Sequence, residues 1–98
     1  MTRKELFYNI KKKKSFLCVG LDTEFVRIPK HLMGTDDPVF EFNKSIIDAT
    51  IDFTIAYKPN IAFYEAMGIR GWMSLQKTVN YLEGYRNEVF LIADGLRH

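Results

Sequence analysis

Thr54-Ile55-Ala56-Tyr57-Lys58-Pro59-Asn60 is the stretch that decides how the chain is read. Thr54 to Tyr57 is short and apolar, and it stops on a lysine, a proline and an asparagine. A run of this length bounded by turn-forming residues reads as a strand. Toward the N-terminus, Phe16-Leu17-Cys18-Val19-Gly20-Leu21 has the same texture and ends at Asp22. Its nearly unbroken apolar character is that of a strand buried on both faces, as in a parallel sheet. Toward the C-terminus, Val89-Phe90-Leu91-Ile92-Ala93 is a third such run, ending at Asp94. The run centres are roughly 35 residues apart, the size of a βαβ unit.

The intervals between the runs are helical. Asp36 or Asp37 can cap a helix whose first turn holds Pro38. Val39, Phe42, Ile46, Ala49 and Phe53 then fall on one helical face. Residues 23–37 before it read as a connection. After the second run, Phe63-Tyr64-Glu65 either lines a pocket or packs a loop punctuated by Gly68 and Gly71. Trp72, Leu75, Val79 and Leu82 form the next apolar stripe, with Trp72 in the core and Gly84 as terminator. At the N-terminus, Thr2 and Glu5 fit a capping box, Leu6, Phe7 and Ile10 a stripe, and Lys11 to Lys14 a solvated helix end. The order is helix, strand, helix, strand, helix, strand. Such alternation predicts right-handed βαβ units and a parallel sheet.

Composition narrows the function classes. The chain has 98 residues, 47% hydrophobic and 27% charged, with net charge +2. That is room for one domain and for a core, and too little for a closed (β/α)8 barrel of roughly 200 residues or more. A single cysteine, Cys18, excludes an internal disulfide and fits a reducing cytoplasm; placed inside a strand, it reads as a buried, inert thiol. His31 and His98 have no companion ligands, so no metal site is expected. There is no glycine-rich phosphate loop of dinucleotide or Walker type. The charge is too small to argue for nucleic acid, and no apolar run approaches a membrane span or a signal peptide.

Each strand ends in an ionisable residue: Asp22, Lys58, Asp94. In parallel α/β sheets ligands bind at the carboxyl ends of the strands. Two carboxylates and an ammonium on one rim suit a polar, hydroxyl-bearing ligand. An ammonium between carboxylates stays protonated, and can stabilise or protonate a developing carbanion.

With those residues in view, Phe16 to Asp22 (FLCVGLD), Ile55 to Glu65 (IAYKPNIAFYE) and Phe90 to Asp94 (FLIAD) resemble the orotidine 5'-phosphate decarboxylase family, in its longer bacterial branch. The likeness covers roughly residues 4 to 94 and is most specific in KPN-x-AFYE. It implies residues 1–98 as the N-terminal portion of a single (β/α)8 TIM barrel, about its first three strands with their helices. It implies a homodimeric cytoplasmic lyase of pyrimidine biosynthesis that converts orotidine 5'-monophosphate to uridine 5'-monophosphate and carbon dioxide, without metal or organic cofactor. By the same resemblance Asp22 and Lys58 contact the ribose, Lys58 joins a charged network, and Asp94 is the first carboxylate of the family's Asp-x-Lys-x-x-Asp motif.

The likeness breaks after Asp94. The family reads Asp-Ala-Lys-Arg-Gly-Asp where this chain reads Asp94-Gly95-Leu96-Arg97-His98, so Leu96 stands at the proton-donating lysine. The expectation is a chain cut just after the third strand that does not decarboxylate alone and, with open apolar edges, associates. Two other readings stay open: a non-catalytic nucleotide-binding remnant, and another phosphate-substrate barrel such as a hexulose-phosphate synthase.

Overall fold

Polar side chains start the helices and apolar spacing decides which face they bury. In the computed structural model, which describes residues 2–22 and 24–92, helix α1 (Arg3–Lys13) opens on the expected capping box. The Glu5 amide donates to Thr2 Oγ1, and the Thr2 amide to Glu5 Oε1. Asp37 caps α2 (Pro38–Thr50), accepting from the Phe40 amide at 3.0 Å, with Pro38 at the first helical position. Each such cap is worth about 1 kcal/mol. Asn60 caps a helix that the sequence reading treats as loop: α3 (Ile61–Ala66) takes in Phe63, Tyr64 and Glu65.

Gly68, at φ 69°, turns the chain into α4 (Ile69–Glu83). Gly71 therefore lies inside a helix and not in a loop. Its lack of a side chain lets α4 close on α3, since a Cβ there would stand 1.9 Å from the Tyr64 carbonyl oxygen.

Strands β1 (Leu17–Gly20), β2 (Thr54–Lys58) and β3 (Phe90–Leu91) form a parallel sheet in chain order. The third strand is shorter than the predicted 89–93; Val89 is buried beside it, and Ala93 lies outside the described residues. On one sheet face Leu21, Tyr57 and Val89 pack with Ile47 of α2 and Leu82 of α4, and Val19 packs against them. Ile28, Val39, Tyr64 and Leu75 form a second cluster between the helices and the connection after β1. That connection contains 3-10 turns at Phe25–Arg27 and Lys30–Leu32.

Helix α1 crosses the other end of the sheet. Asn9 Nδ2 donates to the Asn87 carbonyl, and Lys13 Nζ donates to the carbonyls of Ile51, Thr54 and Glu88. Lys13 thus departs from the solvated lysine run expected of residues 11–14. It satisfies chain ends beneath β2 and β3.

Several positions expected in the core are exposed. Phe16 is 79% exposed and Cys18 is open to solvent. Strand β1 is covered by helices on one face, and no described element covers the other, so an apolar run typical of a doubly covered strand ends up half bare. Trp72 is 46% exposed, although Leu75 and Leu82 of the same predicted stripe are buried and Val79 packs against the core; Gly71 takes the inward position at the start of α4. Phe53 falls in a 3-10 turn (Ile51–Phe53) after α2 has ended and is also exposed.

Candidate active site

Register places the strand-end residues together. Gly20 of β1 is paired with Lys58 of β2, and the Leu21 amide donates to the Lys58 carbonyl at 3.1 Å. Asp22 follows directly. Adjacent strands are about 4.8 Å apart, so Asp22 and Lys58 leave the sheet as neighbours on one rim. Tyr57 is paired with Leu91, and the Ile92 amide donates to the Tyr57 carbonyl at 2.9 Å. This pairing carries β3 to the same rim. Asp94 itself lies outside the described residues.

Alternation then assigns faces. Tyr57 points at the helices, where its hydroxyl is 2.7 Å from Thr50 Oγ1 and it packs in the core. Lys58, one residue on, belongs to the opposite face. In β1 the same alternation puts Val19 and Leu21 on the helix side and Cys18 and Gly20 on the other. Asp22 Oδ1 lies 3.4 Å from where a Cβ on Gly20 would stand, so the carboxylate folds back over the glycine on the Lys58 side of the sheet. Gly20 keeps that space open. Asp22 and Lys58 are both exposed there. In a closed barrel the face away from the helices is the interior, and its carboxyl-end rim is where ligands sit.

The rim rests on a buried polar network that sequence reasoning did not identify. Tyr64 Oη donates to the Leu21 carbonyl, the last one before Asp22. Asn43 Nδ2 donates to Tyr64 Oη at 2.9 Å and to Thr78 Oγ1 at 3.0 Å. Thr78 Oγ1 donates in turn to the Ser74 carbonyl at 2.8 Å. Burial pushes the Tyr64 hydroxyl up to about 12; the bond from Asn43 opposes this, and the Asp22 and Asp37 carboxylates add to it. The available signal was polarity on an apolar stripe, and it exists only for Asn43, midway between Val39 and Ile47.

Among the described residues no group of three or more His, Cys, Asp and Glu side chains could hold a metal ion, and no helix is long and apolar enough to cross a membrane.

Comparison with known proteins adds what geometry alone does not carry. No family model matches the chain. Orotidine 5'-phosphate decarboxylase from Bacteroides fragilis is 58% identical over 97 residues, 99% of this chain and 35% of that protein. The protein of the same name from Flavobacterium johnsoniae is 60% identical over 97 residues, 36% of its length. The chain is homologous to orotidine 5'-phosphate decarboxylase. It spans about a third of the length of the curated relatives it matches.

Solved structures agree. A Toxoplasma gondii crystal structure assigned to orotidine-monophosphate decarboxylase superposes with TM-score 0.80 at 34% identity, over 96% of this chain and 31% of that one. A Streptomyces avermitilis orotidine 5'-phosphate decarboxylase structure gives TM-score 0.69 at 26% identity, over 96% and 32%. The parallel βαβ arrangement is the one the alternating pattern predicted, and its match to about a third of these decarboxylase structures is that of a partial TIM barrel, as the resemblance implied. The hexulose-phosphate synthase reading gains no support from these matches.

Proposed function

We propose that residues 1–98 are the N-terminal portion of a single (β/α)8 orotidine 5'-phosphate decarboxylase domain, and that Asp22 and Lys58 hold the ribose of the nucleotide. The observation that carries this is the placement of Asp22 and Lys58 at adjacent strand ends on the sheet face opposite the helices. Homologues of 58% and 60% identity bearing that enzyme's name support it. A carboxylate accepts from ribose hydroxyls and an ammonium donates to them, so the pair brackets a diol.

In the reaction, loss of carbon dioxide from the pyrimidine ring leaves a carbanion with little resonance relief. A preorganised ammonium beside that carbon stabilises the charge and then supplies a proton. Lys58 joins the charged array around it, and Asp94 is assigned to the side of the departing carboxylate. Leu96 offers neither charge nor proton where the family has its donor lysine. On this reading the 98-residue chain binds nucleotide without turning it over. The partner is a small nucleotide rather than nucleic acid or membrane, the assembly a homodimer and the setting cytoplasmic.

The test is titration of the chain with uridine 5'-monophosphate, followed by amide NMR and by release of carbon dioxide from the orotidine nucleotide. Expected are shifts at Gly20 to Asp22 and at Lys58, binding weakened about tenfold or more by D22A or K58A, and no carbon dioxide. Shifts confined to other surfaces, or binding indifferent to both substitutions, would overturn the assignment.

A further inference from the structure

Leu21 is the joint at which the chain leaves β1, and its backbone polar groups are held by the last residue of β2 and by the helix that follows it. Its amide donates to the Lys58 carbonyl, and its carbonyl accepts from Tyr64 Oη. Lys58 and Tyr64 are six residues apart in the stretch Lys58 to Tyr64. Leu21 is fully buried, and so is Tyr64. We propose that Tyr64 is a positioning residue for Asp22, holding the Leu21 carbonyl so that the next side chain stands beside Lys58. This rests on the ribose-binding reading given above.

The hydrogen-bond directions leave Tyr64 one option. Asn43 Nδ2 donates both its hydrogens, one to Tyr64 Oη and one to Thr78 Oγ1. The phenol oxygen therefore accepts from Asn43, and its own proton goes to Leu21. The ring is held as firmly as the hydroxyl. Asn60 caps α3 and sets the turn on which Tyr64 sits. Gly71 lets α4 close against the Tyr64 backbone, and the Phe63 ring meets the Tyr64 ring edge-on, centroids 5.2 Å apart. One hydroxyl thus ties α2, α3 and α4 to the last residue before Asp22. Supporting residues of this kind set active-site geometry to within a fraction of an ångström, and small displacements weaken recognition severalfold or more.

A purely structural Tyr64 would behave like any other member of the network, and Thr78 is the control. Thr78 shares Asn43 with Tyr64, but its own hydroxyl donates to the Ser74 carbonyl and not to that of Leu21. The experiment compares Y64F with T78V in the 98-residue chain by thermal melting, by the Leu21 carbonyl and Asp22 amide resonances, and by affinity for uridine 5'-monophosphate. Both variants lower the melting temperature. Y64F is expected to move the Leu21 and Asp22 resonances and weaken nucleotide about tenfold, while T78V leaves affinity within about twofold.

Affinity that tracks melting temperature equally in both variants would overturn the proposal, as would unchanged Leu21 and Asp22 resonances in Y64F. If the unaltered chain binds no nucleotide, the ribose-binding reading fails, and the positioning role is decided by the resonances alone. If Y64F does not fold, N43A takes its place. It keeps the phenol but removes the donor that aims it, and must displace the same two resonances for the proposal to stand.

Discussion

Asp37 shows how much one side chain can tie together. Its Oδ1 accepts from the Phe40 amide at 3.0 Å and from Ser74 Oγ at 2.7 Å, while Oδ2 lies 3.2 Å from Lys77 Nζ. It therefore starts α2 and ties it to α4. Partial burial pushes its carboxyl up, but the Phe40, Ser74 and Lys77 hydrogen bonds outweigh this and hold it below the ordinary 3.8. A carboxyl lowered in the folded state adds stability above its unfolded value, and that stability drains as the pH falls through the folded one. The expected outcome in denaturant titrations is a D37A loss of about 1 kcal/mol near neutrality that shrinks below about pH 4. A D37A deficit of the same size on both sides of that range would show that the charge contributes nothing. Sequence alone left Asp36 and Asp37 equivalent; the contacts with Ser74 and Lys77, on another helix, separate them.

At the scale of elements, α1 is attached to the sheet by polar contacts more than by its apolar stripe. Phe7 is exposed, whereas Asn9 is buried and bonded to Asn87. Lys13 reaches the carbonyls of Ile51 and Thr54 at 2.8 Å and of Glu88 at 3.2 Å. Burial pulls its ammonium below the ordinary lysine range, with the Glu88 and Asp52 carboxylates opposing. K13M removes the donor from all three and is predicted to cost about 2 kcal/mol. K12M, an exposed position in the same run, should stay within about 0.5 kcal/mol. Equal melting temperatures for the two variants would refute the latch. Four consecutive lysines are indistinguishable as letters, and only the helical phase of α1 over the sheet end selects Lys13.

At the scale of the whole molecule, the sheet has helices on one face and exposed apolar residues at both edges. Phe16 and Leu17 flank one side, and Phe90, Leu91 and Ile92 the other. Exposed strand edges with apolar side chains favour pairing with another chain. Sedimentation of the 98-residue chain is expected to give a mass that rises with concentration, and F16S together with L91T should reduce the rise. A single monomeric boundary at all concentrations, with a cooperative melt, would contradict this. The arrangement also accounts for Cys18: in a strand covered on both faces it would be buried, and here it is exposed.

The sequence by itself determined the capping box of α1, the alternation of helices with parallel strands and the gathering of Asp22 and Lys58 at one rim. These follow from local rules: capping spacing, apolar periodicity, and the parallel register that βαβ connections impose. Tertiary structure decided what depends on partners distant in the chain. Tyr64 meets Leu21 across 43 positions, Asn43 meets Thr78 across 35, and Lys13 meets Glu88 across 75. No periodicity encodes those meetings. The first two arise because packing α3 and α4 over the sheet, with Gly71 permitting the close approach, buries polar atoms that then satisfy one another, and the third because α1 crosses the sheet end with Lys13 turned toward it.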